Sequence, residues 1–165
     1  RQPQKGVLFS GTIDSNIRYG KPEITDAQVK EAAEVAQATE FIDTKPEKYK
    51  SPVSQGGTNV SGGQKQRLSI ARAIAKDPEI FIFDDSFSAL DFKTDSQLRK
   101  ALKEYTKDAT TVIVAQRIST ILGADQIIVL DDGHMAGIGT HKELMANCEV
   151  YQQIARSQLS EEELA

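Results

Sequence analysis

Residues 60–91 read VSGGQKQRLSIARAIAKDPEIFIFDDSFSALD, and this stretch decides the fold. The tetrad Ser61-Gly62-Gly63-Gln64 predicts the start of a helix, with Ser61 and Gln64 forming a capping box. The first backbone N–H groups of a helix lack intrahelical acceptors, and the macrodipole makes that end positive. Because glycine lets an anion approach the backbone closely, this helix start is either a phosphate site or simply a capped helix end.

A short apolar run, EIFIFD, follows the helix at residues 79–84, after the helix-ending pair Asp77-Pro78. Such a run is typical of a strand that is buried on both faces of a sheet. Asp84 ends the strand, and ligands of open α/β sheets gather at the carboxyl ends of strands. A carboxylate there suits hydrated Mg²⁺ beside a triphosphate, although an aspartate after a strand can also serve only to form a turn. Asp84 is therefore a candidate metal ligand.

The remainder of the chain alternates predicted helices and strands. Further helices are predicted after Thr25, from about Thr94, after Thr140 and over 151–158, and further buried strands over 111–115 and 126–130. Asp132-Gly133 predicts a hairpin turn, and residues 5–20 have the composition of a loop-rich opening. Strand, helix, strand, helix, strand is the pattern of a parallel sheet with crossover helices. We expect a mostly helical part over 1–75, an α/β part over 76–158 and a tail over 159–165.

The composition excludes several classes of protein. With 165 residues, 39% hydrophobic and 27% charged, the chain matches one ordinary globular domain. Its net charge of −4 does not favour a nucleic-acid-binding or membrane-surface protein, and the single Cys148 excludes an internal disulfide. The apolar runs are far shorter than the about 20 residues of a membrane span. Because the chain begins at Arg1 without a methionine or signal peptide, we expect it to be part of a longer protein.

The motifs of residues 60–91 resemble those of an ATP-binding cassette (ABC) ATPase, in the order typical of that family. Residues 60–64, VSGGQ, resemble the signature motif, which usually reads LSGGQ. Asp84 matches the aspartate of the Walker B motif, and residues 88–91, SALD, match the D-loop. The resemblance covers about residues 1–157.

The beginning of the chain resembles exporter-type members of the family. Gln4 matches the Q-loop glutamine, and residues 7–20, VLFSGTIDSNIRYG, are similar to the stretch that follows the Q-loop in exporters. Gln55 lies where exporters have an acidic X-loop residue that touches the coupling helices of the membrane domain. The resemblance therefore implies contact with a transmembrane domain through the Q-loop and X-loop regions.

The resemblance implies an α/β fold, a fragment of a P-loop NTPase of the ABC type. It would comprise the helical subdomain and the parallel-sheet second half of the RecA-like core. The implied cofactors are ATP and Mg²⁺. The residues implied to contact the nucleotide are Ser61, Gly62, Gly63, Gln64, Gln4 and Asp91, and those implied to contact the metal are Asp84 and Gln4.

Two implied catalytic positions depart from the pattern of an efficient ATPase. Asp85 lies where active members carry a glutamate that orients and deprotonates the attacking water, and its side chain is shorter by about 1.5 Å. A misplacement of that size can lower a rate about 10²-fold. Gln116 lies where the switch loop normally has a histidine, and glutamine cannot carry its positive charge. His134 and His141 do not replace it, and both are expected to be solvated or capping side chains.

The phosphate-binding Walker A sequence, G-x-x-x-x-G-K-[ST], does not occur in the 165 residues. That loop cradles the phosphates and supplies a lysine and a metal-binding hydroxyl. In the family it lies upstream of the Q-loop, so we expect it to precede Arg1 in the complete protein.

Together these features favour the degenerate half of a heterodimeric exporter at the cytoplasmic face of the cell membrane. Its partners would be a second ABC nucleotide-binding domain and a transmembrane domain, and no nucleic acid. The signature would complete the ATP site of the partner, while the site containing Asp85 and Gln116 would hydrolyse slowly or not at all. Two alternatives are a soluble ABC-type ATPase of DNA repair or chromosome structure and a non-hydrolysing regulatory nucleotide-binding module.

Overall fold

The computed structural model describes residues 7–160, which form two compact units divided after Val112. The first unit contains β1 (Gly11–Thr12), α1 (Ile13–Ile17), α2 (Asp26–Val35), α3 (Thr39–Asp43), β2 (Pro52–Val53), α4 (Gly62–Ile74), β3 (Ile80–Asp84), α5 (Phe92–Tyr105) and the start of β4 (Thr110–Val114). The second contains the end of β4, α6 (Ile118–Ile121), β5 (Ile127–Asp131), β6 (His134–Gly139), α7 (His141–Asn147) and α8 (Glu149–Gln158).

The first unit is built around α4, against which both α1 and α2 pack. A capping box begins α2, because the Thr25 hydroxyl accepts the Gln28 N–H at 3.3 Å, as the sequence predicts. Val29, Ala32 and Ala33 of α2 are all buried, since they recur at helical spacing on one face. The helix predicted after Thr25 is confirmed.

The loop-rich opening predicted for residues 5–20 is wrong over residues 11–17, where β1 and α1 lie. β1 pairs with β2 in antiparallel register, with Gly11 opposite Val53. A second capping box, between Thr12 and Ser15, begins α1. A five-residue helix is too short to show a hydrophobic period, and only the spacing of the buried Ile13 and Ile17 marks it in the sequence.

The strands β3, β4 and β5 are not buried on both faces, which corrects the sequence prediction; in β5, Ile128 and Leu130 are 58% and 68% exposed. Along β3 the side chains alternate: Phe81 and Phe83 are 3% and 2% exposed, whereas Ile80 and Ile82 are 59% and 69% exposed. The buried face packs on the ring of Tyr105 in α5, which meets Phe81 edge-on. β3 pairs with the start of β4, but most side chains of β4 are exposed. Within the described residues, each of these strands therefore has an apolar face that is open to solvent.

The second unit is a hairpin packed against helices. β5 and β6 pair in antiparallel register with Asp131 opposite His134, and the turn residues Asp132 and Gly133 have φ angles of 45° and 77°. Two positive φ values define the type I′ turn that the Asp-Gly pair predicts. α7 begins after Thr140 as predicted, with a capping box between Thr140 and Glu143. The core of this unit is formed by Ile118, Ile127, Val129, Leu144, Cys148, Tyr151, Ala155 and Leu159.

The helices within residues 7–160 are all too short or too polar to cross a lipid bilayer.

Candidate functional site

The start of α4 has the geometry that its sequence predicts. The Ser61 hydroxyl accepts the Gln64 N–H at 3.2 Å, and the Gln64 side-chain oxygen accepts the Ser61 N–H at 3.1 Å. This capping box satisfies the N–H groups of Ser61 and Gln64 and leaves those of Gly62 and Gly63 in the first turn without intrahelical acceptors. Ser61 and Gly62 are exposed, so the positive end of the helix faces solvent.

The first turn of α4 packs against the segment that follows β3. A Cβ atom on Gly63 would lie 3.2 Å from the Ala89 carbonyl oxygen, and one on Gly62 would lie 3.7 Å from the Ala89 Cβ. A side chain at position 63 would press on the backbone of Ala89, so glycine favours this close packing as well as access to the helix end. The predicted signature and D-loop segments are neighbours in the first unit.

Gln66 holds these two segments together, and sequence reasoning missed it. The side chain is 7% exposed; its oxygen accepts the Ala89 N–H at 3.0 Å, and its nitrogen donates to the Ser88 hydroxyl at 3.2 Å and the Asp85 carbonyl at 3.4 Å. A signal existed in the sequence, because Gln66 lies four residues before the buried Ile70 on the inward face of the helix.

Asp84 and Asp85 follow one another at the carboxyl end of β3 but differ in backbone geometry. Asp84 is exposed, so a hydrated metal ion could reach its carboxylate from solvent. Asp85 is half-buried and has a φ of 46°, in the left-handed region that costs most residues about 1–2 kcal/mol and that aspartate tolerates better than glutamate. Its carbonyl accepts hydrogen bonds from Gln66 and from the Ser88 hydroxyl, at 3.4 and 3.3 Å. The turn at Asp85 is therefore fixed from two sides.

Asp91 has a clear structural role in addition to the predicted nucleotide contact. It is the N-cap of α5, and its carboxylate accepts the Thr94 N–H at 3.0 Å. Hydrogen bonding from the Thr94 backbone, followed by that from the Thr94 hydroxyl, lowers the pKa of the Asp91 carboxyl. The side chain is exposed, so the cap leaves it accessible.

Gln116 belongs to the second unit, in the segment between β4 and α6. Its side chain is exposed, and its carbonyl accepts a hydrogen bond from the Gln158 side-chain nitrogen at 2.9 Å. The Gln158 side-chain oxygen accepts the Ile118 N–H, also at 2.9 Å. This pair of contacts was not predicted, because Gln158 lies 42 residues from Gln116 at the end of α8.

The two histidines differ from each other in their surroundings. His134 is exposed on β6, in agreement with the prediction of a solvated side chain. His141 is half-buried, and its Nδ1 lies 2.8 Å from the hydroxyl of the buried Tyr151. The prediction is therefore wrong for His141, which has a specific side-chain partner within the core of the second unit.

Arg72 of α4 binds the segment of residues 7–20, the opening segment of the described chain. Its guanidinium donates to the carbonyl and side-chain oxygens of Asn16 at 2.7 and 2.9 Å and to the Val7 carbonyl at 2.9 Å, and it stacks near the rings of Phe9 and Tyr19. Burial lowers the pKa of this guanidinium, which nevertheless stays charged. Arg72 thus joins α4 to α1 and the residues before it.

Two predicted positions remain, Gln55 and Gln4. Gln55 is exposed, and its side-chain oxygen accepts the Ser10 N–H at 3.3 Å, which links the predicted X-loop to the opening segment. Gln4 lies outside the described residues.

Among residues 7–160, no cluster of three or more His, Cys, Asp or Glu side chains could hold a metal alone. Asp84 fits instead the usual coordination of Mg²⁺, which is commonly bound by one or two carboxylates together with phosphates and waters.

Comparison with known protein families gives a match over residues 2–88 to the family described as ABC transporter. The chain is 47% identical over 159 residues to an uncharacterized ABC transporter ATP-binding protein of Mycobacterium tuberculosis, covering 94% of this chain and 27% of the relative. It is 46% identical over 151 residues to a putative multidrug export ATP-binding/permease protein of Staphylococcus aureus, covering 92% of this chain and 26% of the relative.

A solved structure of a bacterial Atm1-family ABC exporter with ATP bound is also similar, with a TM-score of 0.91 and 38% identity. The match covers 96% of this chain and 28% of the exporter chain. The chain thus spans about a quarter of the length of the proteins that it matches. The likeness confirms the predicted fold, an ABC-type fragment of a P-loop NTPase with mixed helices and strands.

Proposed function

The chain belongs to the ABC transporter family. We propose that it is part of the ATP-binding domain of an exporter and that it contributes to two ATP sites, competently to one and with impaired catalysis to the other. One site would use its signature helix, and the other would use its carboxylate pair. The observation that carries this proposal is the junction at Gln66, where the start of α4 and the segment after β3 are hydrogen-bonded to each other.

The start of α4 is suited to bind the terminal phosphate of ATP held by a second nucleotide-binding domain. The N–H groups of Gly62 and Gly63 point from a positive helix end, and the capping box keeps Ser61 and Gln64 in place beside them. An anion can reach this turn directly from solvent, because Ser61 and Gly62 are exposed. We therefore assign residues 61–64 to a competent half-site.

The other half-site would bind Mg-ATP through Asp84, with Gln4 as a further metal contact. Bound Mg²⁺ would neutralise charge on the phosphates. Asp84 fits that role because it is exposed at the carboxyl end of β3, where such ligands gather. Asp91 would contact nucleotide from the end of the D-loop while capping α5.

Water activation at this second half-site is proposed to be impaired. The Asp85 carboxylate is about 1.5 Å shorter in reach than glutamate. Its backbone is held at a φ of 46° by the hydrogen bonds to its carbonyl, so the turn cannot easily shift to restore the reach. Gln116 can donate a hydrogen bond to a phosphate but brings no positive charge. Both substitutions lower turnover while leaving nucleotide binding possible.

The complete protein would pair this chain with a second, catalytically competent ATP-binding domain, at the cytoplasmic face of the membrane. The named permease portion of the Staphylococcus aureus relative supports a transmembrane domain as the other partner. The opening segment and the predicted X-loop would contact that domain; Arg72 ties this segment to α4 and Gln55 ties the X-loop to it, which supports their acting together.

The test restores the two catalytic side chains in the complete protein, with the catalytic glutamate of the partner domain disabled. Asp85→Glu together with Gln116→His should raise ATP turnover at least about tenfold, since a misplacement of about 1 Å costs up to 10²-fold. Adding Asp84→Asn should remove the gain, because the metal ligand is then lost. An unchanged rate in the double variant, with the fold intact, would refute the proposed impairment.

A further inference from the structure

We propose that Gln158 is a positioning residue for Gln116. Its side-chain amide holds the backbone on both sides of Arg117 and thereby fixes where the Gln116 side chain stands at the nucleotide. The inference rests on the proposed function, which gives Gln116 its place beside the terminal phosphate.

The two hydrogen bonds of Gln158 form one clamp. Its nitrogen donates to the Gln116 carbonyl and its oxygen accepts the Ile118 N–H, each at 2.9 Å. A primary amide carries a donor and an acceptor side by side, so it can satisfy a carbonyl and an N–H two residues apart in the chain, as a neighbouring strand would. Glutamate lacks the donor and alanine lacks both groups.

The clamp also replaces a missing helix cap. α6 has only four residues, and its N-cap residue Arg117 makes no side-chain hydrogen bond to the helix. The Ile118 N–H is one of the groups that a helix leaves without an intrahelical acceptor, and Gln158 satisfies it from a distant part of the sequence. The hydrogen bonds of Gln158 at the end of α8 therefore fix the start of α6 and the preceding residues Gln116 and Arg117.

Gln158 lies at the end of α8, a helix that packs into the core of the second unit. Tyr151, Ala155 and Leu159 of this part of the chain are 1%, 0% and 9% exposed and belong to the core of the second unit. Gln158 precedes Leu159 directly and is itself exposed, so its amide projects from an anchored helix end to the segment beside it. Ile118 is also buried in that core, which leaves Gln116 as the accessible end of the clamped segment.

Two measurements test the proposal, one on the clamp and one on its consequence. In the complete protein, Gln158→Ala should accelerate hydrogen exchange at the Ile118 amide by a few-fold up to about tenfold, because one hydrogen bond contributes at most about 1.4 kcal/mol, which corresponds to a factor of ten. Gln153→Ala is the matched control, since Gln153 is exposed on the same helix and its side chain donates to Glu149 of α8. It should leave the Ile118 amide unchanged.

The consequence is measured in the complete protein as the ratio of ATP to ADP affinity at the site of this chain, with the partner's site disabled. Gln116→Ala should lower the preference for ATP several-fold, and Gln158→Ala should lower it by a similar factor. The double variant should lower it no further, because both changes remove one and the same contact. Gln158→Glu, which keeps the acceptor for Ile118 and loses the donor to Gln116, should keep the amide protected while losing the preference.

The outcomes separate this inference from the proposed function. If Gln116→Ala leaves the ATP preference unchanged, the proposed role of Gln116 fails and the positioning role fails with it. If Gln116→Ala lowers the preference but Gln158→Ala does not, only the positioning role is overturned. Unchanged exchange at Ile118 in Gln158→Ala would overturn the clamp itself, whatever the nucleotide measurements give.

Discussion

Gln66 is the side chain through which α4 holds the segment after β3, and replacing it with methionine tests how much that junction contributes to stability. Methionine has a similar length and keeps the packing, so the substitution removes mainly the three hydrogen bonds. The bond to the Ala89 N–H is 3.0 Å long, whereas those to the Ser88 hydroxyl and the Asp85 carbonyl are 3.2 and 3.4 Å. We assign about 1 kcal/mol to the first and about 0.5 kcal/mol to each of the others, a total of about 2 kcal/mol.

The assay is urea unfolding of the 165-residue chain, followed by the far-ultraviolet circular dichroism of the helices. Gln66→Met should lower the free energy of unfolding by about 1–3 kcal/mol. Gln97→Met is the control, because Gln97 is exposed on α5 and such a change is usually within about 0.5 kcal/mol. If Gln66→Met were as stable as this control, the buried amide would not be the tie between the two segments, and the argument for a fixed turn at Asp85 would fail.

Two further predictions concern stability. The Thr140 N–H and hydroxyl donate to the Glu143 carboxylate and lower its pKa below the ordinary value. The ionised carboxylate therefore stabilises the folded state above about pH 4.3, and this stabilisation is lost as the pH falls through the lowered pKa. In urea unfolding, the free energy of unfolding of Glu143→Gln should therefore fall less steeply than that of the unaltered chain as the pH is lowered from about 6 to about 3. An equally steep fall in both would contradict this prediction. Arg72→Lys keeps the charge but not the fork that reaches both oxygens of Asn16, and should cost about 2 kcal/mol in the same assay; a cost under about 0.5 kcal/mol would contradict it.

The features that sequence predicted well are local ones. The helix starts at Thr25, Ser61 and Thr140 each depend on a side chain and an N–H three residues apart, and the structure contains all three capping boxes. The turn at Asp132-Gly133 likewise depends on the residues that adopt positive φ. Such signals are complete within a few residues, so no knowledge of the tertiary fold is needed to interpret them.

The features that sequence predicted poorly depend on distant parts of the chain. An apolar strand such as β3 predicts burial on both faces, but Ile80 and Ile82 are exposed because burial requires a covering layer that the strand does not encode. The contacts of Gln66 and Gln158 cross 23 and 42 residues of sequence, and an isolated glutamine gives no sign of its acceptor or donor. The roles of Asp85 and Gln116 remain predictions from motif position.

The central claim is that the signature of this chain supports turnover while its own carboxylate base contributes little, and two variants of the complete protein test it in one steady-state ATPase measurement. Ser61→Asp keeps an equally good N-cap but adds a negative charge at the proposed phosphate site, where repulsion at about 4 Å is worth about 4 kcal/mol at an effective dielectric constant of about 20. Asp85→Asn keeps a residue that tolerates positive φ and removes the base. We predict a loss of more than about tenfold for Ser61→Asp and less than about twofold for Asp85→Asn. Full activity in Ser61→Asp, or abolished turnover in Asp85→Asn, would contradict the account.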